Sequence, residues 1–378
     1  MEILNFISLL SLLLTLAYLF IVLNFLLGWA KLKYFQPSAY AGKTKVSIIV
    51  AARNEASSIH KTIEDILIQD YNKALTEIIF IDDHSTDRTS EIISSYRDSG
   101  VKLIKLNEAK ALNSYKKKAI QTAIGQCSGD LIITTDADCR MGEEWLGTIV
   151  AFYEEMNYKM ISSPVSYYEE KSFFERAQSL EFLYLIGLGA STIGNKKPST
   201  CNGANLAYER RAFYEVGGFT GIDDLASGDD ELLLHKMAAK FENGIGFLKN
   251  ENAMVYTHAK PNLTEFIQQR KRWASKSTKY KNKSIIVLGV TVWVFNLSIL
   301  LNLLGGVFSF ELFEVALFQL TLKIAFEFLF LIGVTGFARR RKLLVLLPFL
   351  NLMHILYIVY IGVAGNSGKY NWKGRMVK

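Results

Sequence analysis

Four clusters in the sequence carry residue types able to do chemistry. In Ile81-Asp-Asp-His-Ser-Thr-Asp87, the adjacent Asp82 and Asp83 end an apolar run. A carboxylate there can accept a hydrogen bond from a nucleobase N–H or a ribose hydroxyl, or simply shape a turn and cap the following helix. In Thr134-Thr-Asp-Ala-Asp-Cys139, Asp136 and Asp138 stand one residue apart and can share one hard cation, Mg²⁺ or Mn²⁺, that also bridges a diphosphate. Such a D-x-D arises often by chance; its place at the end of an apolar strand, downstream of another Asp-tipped strand, is what gives it weight. In Ser227-Gly-Asp-Asp-Glu231, helix capping accounts for Asp229, whereas Asp230 is the candidate general base for an acceptor hydroxyl. The fourth cluster, Gln269-Arg-Lys-Arg-Trp273, joins an amide, guanidinium groups and an indole. Trp and Arg anchor proteins at headgroup depth, but the indole can also stack on a sugar and Arg272 can hold phosphate oxygens.

The elements that would position these groups follow from hydrophobic patterning. Val46-Ser-Ile-Ile-Val50, Glu77-Ile-Ile-Phe-Ile81, Val101-Lys-Leu-Ile104 and Leu131-Ile-Ile-Thr134 read as strands. Between them, 56–69 and 85–96 carry Ile and Leu at helical spacing, and 110–124 is a basic amphipathic stretch. Strands alternating with helices predict an open α/β sheet, whose catalytic groups gather at the carboxyl ends of the strands.

The 378 residues are half hydrophobic, with a positive mean hydropathy and a formal charge of +7. A purely soluble protein and a disordered chain are both disfavoured by this composition. The excess charge sits beside apolar segments rather than on one face with interleaved aromatics, which argues against nucleic acid as a partner. Cys127, Cys139 and Cys201 form no C-x-x-C pair, so a disulfide framework and a zinc ribbon are unsupported and a reducing compartment fits. From Ile3 to Ala30 there is no charge, enough to cross a bilayer, and the run is too long for a signal-peptide core. Ser284–Phe310, Val315–Ala338 and Leu343–Ala364 read as three more spans, the last interrupted by Pro348 and so open to a re-entrant reading. Lys323 and Glu327, one helical turn apart, are expected to neutralise each other, and His354 to pack. Lys31, Lys33, Lys43 and Lys45 after the first span, and Arg339 to Lys342 between the last two, place those flanks in the cytoplasm. The expected organisation is a transmembrane helix over 1–30, a cytoplasmic domain over 45–264, an interfacial segment over 265–283, a transmembrane region over 284–364 and a basic tail over 365–378. The protein would then be integral and multi-pass in the inner or cell membrane.

Read in order, these motifs resemble the membrane-bound branch of glycosyltransferase family 2, which includes cellulose, chitin and hyaluronan synthase-like and ceramide glucosyltransferase-like enzymes. The resemblance runs from Lys45 to Trp273 and implies a GT-A-type fold. It assigns nucleotide-sugar contacts to Ala52, Arg53, Asn54, Glu55, Asp83, Lys118 and Asp136, the metal to Asp138 with Asp136, and the base to Asp230. Thr200-Cys-Asn-Gly-Ala-Asn205 matches the acceptor-side segment, and Gln269, Arg270, Arg272 and Trp273 match the Q-x-x-R-W box for acceptor or diphosphate. The chain departs from the family at His84, where Gly is usual, at Lys117, which precedes Lys118 in place of Gly, and at Gly228-Asp229-Asp230. Altered loop geometry is expected there.

The resemblance implies an inverting transfer from a nucleotide-sugar donor, UDP-linked, to a lipid-linked or glycan hydroxyl, at a lipid membrane, with Mg²⁺ or Mn²⁺ as cofactor. A direct displacement needs one base and no protein nucleophile, in keeping with the lack of an evident Ser-His-Asp or Cys-His arrangement. The alternatives are a processive polysaccharide synthase and a catalytically silent nucleotide-sugar-binding scaffold of an export complex. The modest number of spans favours a lipid-linked or short acceptor.

Overall fold

Runs of Ile and Val after Lys45 build strands buried on both faces, and the register of those strands decides where the acidic residues fall. The computed structural model describes residues 2–38, 42–108, 112, 114–364, 370–372 and 375–377. In chain order the elements are α1 (Glu2–Lys31), β1 (Val46–Ala52), α2 (Ile59–Leu67), β2 (Thr76–Asp82), α3 (Thr89–Ser95), β3 (Val101–Lys105), α4 (Tyr115–Ile124), β4 (Leu131–Asp136), β5 (Arg140–Met141), α5 (Trp145–Met156), β6 (Met160–Ser162), β7 (Val165–Tyr167) and α6 (Phe173–Gly194). They continue with β8 (Leu206–Glu209), α7 (Arg210–Glu215), α8 (Glu231–Lys240), β9 (Ile245–Phe247), β10 (Val255–Thr257), α9 (Leu263–Ser275), α10 (Lys283–Gly305), α11 (Phe310–Phe337), α12 (Leu347–Ala364), β11 (Tyr370–Trp372) and β12 (Arg375–Val377). The chain divides into two compact units: Met1–Lys31, Lys171–Ser191 and Lys260–Gly368 form one, and Leu32–Glu170, Thr192–Ala259 and Lys369–Lys378 the other.

The second of these is an α/β unit around a seven-stranded sheet ordered β3-β2-β1-β4-β8-β6-β9. β3, β2, β1 and β4 run parallel, and β8 is antiparallel to β4 and β6. The chain leaves β1 towards β2 and β3 and then returns to β4 on the other side, so the order reverses at β1. A reversal of this kind opens a crevice at the carboxyl ends of the two strands that flank it. The register sets Ala52 opposite Asp82 and Ala51 opposite Asp136, bringing both acidic clusters to that crevice. α2 and α3 start later than the patterning predicts, at Ile59 and Thr89, because the residues ahead of them are used in turns: the Ser58 and Ile59 amides both bond the Glu55 carbonyl. α4 starts at Tyr115; Lys110, in the stretch expected to be helical, lies outside the described residues.

The other unit gathers the apolar helices. Leu4–Lys31, Lys283–Gly305, Phe310–Phe337 and Arg341–Ala364 are each long and apolar enough to cross a membrane. The last is a 3₁₀ turn followed by continuous α12, and Pro348 lies in the first turn of α12, where a missing N–H leaves no bond unmade. A buried polar seam joins these helices. The Asn302 amide donates to Ser11 Oγ and to Gln319 Oε1, each at 2.9 Å. The Lys323 ammonium donates to Glu327 at 2.6 Å, the pairing expected from their spacing, and also to Asn351, while the Tyr18 hydroxyl donates to Glu327. His354 stacks on Tyr357. Among the elements without a counterpart in the sequence reading is α6, a 22-residue helix; residues 171–191 and 260–264 of the stretch read as one domain over 45–264 belong to the apolar-helix unit. Of the basic tail, Lys369, Lys373 and Lys378 lie outside the described residues, and Arg375 opens β12, which pairs with β11.

Candidate active site

The loops after β1 and β2 brace each other. Arg53 Nη1 donates to the carbonyls of Asp83 (2.9 Å) and His84 (2.8 Å), and Asn54 Oδ1 accepts the Thr86 amide at 2.8 Å. The Glu55 amide donates to Thr89 Oγ1 and the Ala56 amide to Asp87. Asp82 shapes the turn: Oδ1 accepts the Ser85 amide and Oδ2 the Ser90 hydroxyl. Asp83 is buried at the mouth of the crevice with Oδ1 3.1 Å from His84 Nδ1. His84 takes φ +55°, the left-handed backbone that Gly favours.

The turn bearing Asp136 and Asp138 is held from α2. Thr62 Oγ1 reaches the carbonyls of Ala137 (2.9 Å) and Cys139 (2.8 Å), and Asp65 receives Arg140 in a two-pronged pair at 2.6 and 2.8 Å together with the Met141 amide. Ligand atoms of Asp136, Asp138 and Cys139 all lie within 4.8 Å of one another. Burial, and then Asp138 and Asp136, push the Cys139 thiol well above its ordinary range, which leaves the two carboxylates as the charged oxygen donors of the group. That donor chemistry fits a hard cation such as Mg²⁺ or Mn²⁺.

Lys116, at the start of α4, connects this turn to the third cluster. Its ammonium lies 2.7 Å from Asp136 and 3.1 Å from Asp229. Burial works against the charge, but Asp136, Asp229 and then Asp230 raise its proton affinity well above that of an ordinary lysine. The resemblance assigns Lys118 to the nucleotide-sugar; a helix turns its residues by roughly 100° each, so Lys118 lies on the exposed face of α4 while Lys116 meets the acidic groups. The pair Asp229 and Asp230 also divides its work differently from the sequence reading. Asp230, not Asp229, caps α8, its Oδ1 accepting the Glu231 amide at 2.6 Å, while Asp229 faces Lys116. Asp230 Oδ2 accepts the Gly203 amide at 3.1 Å, which joins the Thr200–Asn205 segment to the candidate base. A Cβ on Gly203 would lie 3.3 Å from Asp230 Cβ and from Asp229 Oδ2, so glycine permits this approach. Each carboxylate oxygen carries two lone pairs, so Asp230 keeps acceptor capacity beyond the cap. Asn205 is buried and structural, bonding Pro164, Ala253 and the Trp145 indole.

The Q-x-x-R-W box lies on α9, in the apolar-helix unit. Arg270, assigned by the resemblance to acceptor or diphosphate, forms an internal clamp: its guanidinium is buried, pairs with Glu181 of α6 (2.6 and 3.3 Å), donates to Gln269 Oε1 at 2.9 Å, and lies between the rings of Phe266 and Trp273. Gln269, Arg272 and Trp273 are half-buried. Sequence reasoning missed Lys116, Thr62, Asp65 and Glu181.

Residues 47–217 match the model of glycosyl transferase family 2. This segment is a glycosyltransferase family 2 domain. The chain is 26% identical over 234 residues to a beta-monoglucosyldiacylglycerol synthase of Synechocystis sp., covering 61% of this chain and 47% of the relative. It is 36% identical over 132 residues to WfaP of Escherichia coli, a UDP-Glc:alpha-D-GlcNAc-diphosphoundecaprenol beta-1,3-glucosyltransferase, covering 34% of this chain and 48% of the relative. The chain thus spans about half the length of these two relatives. Its fold is that of the mannosyltransferase PcManGT from Pyrobaculum calidifontis, solved with GDP-Man and Mn²⁺, at a TM-score of 0.60 and 18% identity over 95% of this chain and 98% of that one. The family 2 domain has the GT-A fold.

Proposed function

We propose that this protein is a membrane-bound, inverting glycosyltransferase that moves a hexose from a nucleotide-sugar, UDP-linked, to a hydroxyl of a lipid-linked acceptor. The observation that carries the reading is the Lys116 bridge from Asp136, at the end of β4, to Asp229 beside Asp230, since it joins a diphosphate-and-cation position to a base position. Asp230 takes the proton of the acceptor hydroxyl, whose oxygen bonds to the anomeric carbon as the bond from that carbon to the diphosphate oxygen breaks on the opposite face. An α-linked donor then gives a β-linked product. Asp136 and Asp138 are the residues to hold Mg²⁺ or Mn²⁺, which when bound supplies positive charge to the leaving diphosphate. Lys116 adds a second cation to the same end of the sheet, and Asp83 and the braced 52–55 loop receive the nucleoside.

The names of these two relatives support parts of this reading: both describe β-products, one names UDP-Glc, and diacylglycerol and diphosphoundecaprenol are lipids. Gln269, Arg272 and Trp273 are assigned to acceptor or diphosphate recognition on the motif alone. The basic flanks at 31–45 and 339–342 support a cytoplasmic catalytic domain, the compartment in which sugar nucleotides are made.

The test is UDP release by purified protein in lipid across a panel of UDP-sugars with Mn²⁺ or Mg²⁺, with labelled product partitioned into organic and aqueous phases. Label in a discrete lipid species is expected. A ladder of lengthening glycans would replace this reading with a polymer synthase, and no turnover with any donor would remove it.

A further inference from the structure

Two consecutive lysines at the start of α4 do different work. Lys116 pairs with the acidic groups; Lys117 turns the other way and is only 1% exposed. Its Nζ donates to the carbonyls of Leu225 and Ser227, both at 2.7 Å. These carbonyls belong to the segment between α7 and α8, which contains no helix or strand and ends in Gly228, Asp229 and Asp230. Gly228 has φ +84°, and a Cβ there would meet the Leu232 side chain at 2.8 Å, so the turn leading to Asp230 has little freedom once Ser227 is held. A buried ammonium is tolerated only where strong acceptors surround it, and carbonyl oxygens bonded to a charged donor are held more firmly than by a neutral one.

We propose that Lys117 is a positioning residue for Asp230: by gripping the Leu225 and Ser227 carbonyls it sets the loop that carries the base, and it fastens that loop to the helix whose neighbouring lysine binds the donor end of the sheet. The inference rests on Asp230 being the base. Burial pulls Lys117 down to about 8, against the opposing pull of Asp229, Asp230, Asp224 and Asp223 on the loop it holds. Lys116 and Lys118 are the other charged groups of α4 near it. As pH rises through 7 to 9 the Lys117 ammonium gives way to a neutral amine, whose N–H groups hold the two carbonyls less firmly.

The experiment compares full-length wild type with Lys117→Met, which keeps the length of the side chain and removes its donors, in lipid. Three readouts are taken: amide hydrogen exchange of residues 226–231, UDP affinity with Mn²⁺, and kcat. Expected are exchange at least tenfold faster in that segment, UDP affinity within about threefold of wild type, and kcat at least tenfold lower. Unchanged exchange would overturn the grip itself, whether or not any sugar is transferred, which separates this inference from the proposed activity. Faster exchange with unchanged kcat would overturn the link to the base. Should the variant not fold, wild type serves: exchange in 226–231 is expected to accelerate between pH 7 and 9 beyond the tenfold per unit of intrinsic base catalysis, and a purely intrinsic slope would overturn the proposal.

Discussion

Asp230 is at once the cap of a helix and the proposed base, and the two roles make separable demands. The cap uses Oδ1 while Oδ2 accepts the Gly203 amide, so an Asn, with one acceptor oxygen, can preserve the helix cap at the cost of the Gly203 bond while removing the proton acceptor. Asp230→Asn is therefore expected to leave UDP affinity within about twofold and to lower UDP release by about 10²- to 10⁴-fold, the usual contribution of a positioned base. Steady-state release and UDP calorimetry on one preparation check it, and wild-type turnover would remove Asp230 from the mechanism. Gly203 gives a second, steric test. Alanine there presses on Asp230 Cβ and Asp229 Oδ2, each 3.3 Å away, and is expected to lower kcat about tenfold with little change in the KM for donor. A rise in donor KM at constant kcat would instead put Gly203 at the donor. At this scale the residue types were legible but their partners were not. Strand-end aspartates announced themselves, whereas the choice of Lys116 over Lys118 depends on the phase of α4, which the patterning gave only as a basic amphipathic stretch. Lys117 could have been found: it shares the stripe of Ile120 and Ile124, and a lysine on an apolar stripe is a lysine to be buried.

Among the elements, α2 does for the Asp136–Asp138 turn what Lys117 does for the acid loop. Nothing in the sequence of α2 advertises this, because Thr62 and Asp65 lie among ordinary helical positions and their partners come from more than 70 residues away. The strands were readable for a local reason, since a continuous Ile/Val run has few alternatives. Helix starts were less so, as the first residues of each were claimed by turn bonds. Removing the Asp65 carboxylate strips Arg140 of its carboxylate partner, though not of Tyr168, and leaves the Met141 amide unsatisfied; Arg140 is partly exposed and can be rehydrated, so the penalty is mostly the amide's. Asp65→Ala is expected to destabilise the α/β unit by about 2 kcal/mol. Its larger effect is on function. Groups that orient metal ligands are worth about 10- to 100-fold in metal affinity, so half-saturation by Mn²⁺ should rise by about tenfold in an activity titration. An unchanged Mn²⁺ dependence in a measurably destabilised protein would mean that α2 supports the fold and not the metal turn.

Across the whole molecule the chain uses one rule twice, since charges taken out of water are allowed only in company. In the α/β unit the company is Lys116 with Asp136 and Asp229; in the apolar-helix unit it is Lys323 with Glu327, Asn351 and Tyr18, and Arg270 with Glu181. The Lys323–Glu327 pair was legible because both residues fall on one span at helical spacing. Asn351 and Tyr18 were not, since an Asn and a Tyr in apolar runs give no sign of which helix they face. Because the seam ties α1, α11 and α12 to one another, its energetics should be those of a buried ion pair and not of a surface one. Lys323→Met alone leaves the Glu327 carboxylate without its cation and is expected to lower the resistance of the solubilised protein to heat, by about 3 kcal/mol where the carboxylate stays charged. Lys323→Met combined with Glu327→Gln removes both charges and keeps an amide for Asn351 and Tyr18, so most of that loss should be recovered. The thermal midpoints of wild type, both single variants and the double variant form a closed cycle, and a strong positive coupling is expected. If the two single losses simply add, the pair is not what binds these helices, and a charge retained at such expense among apolar helices would have to be accounted for by transport or by a ligand.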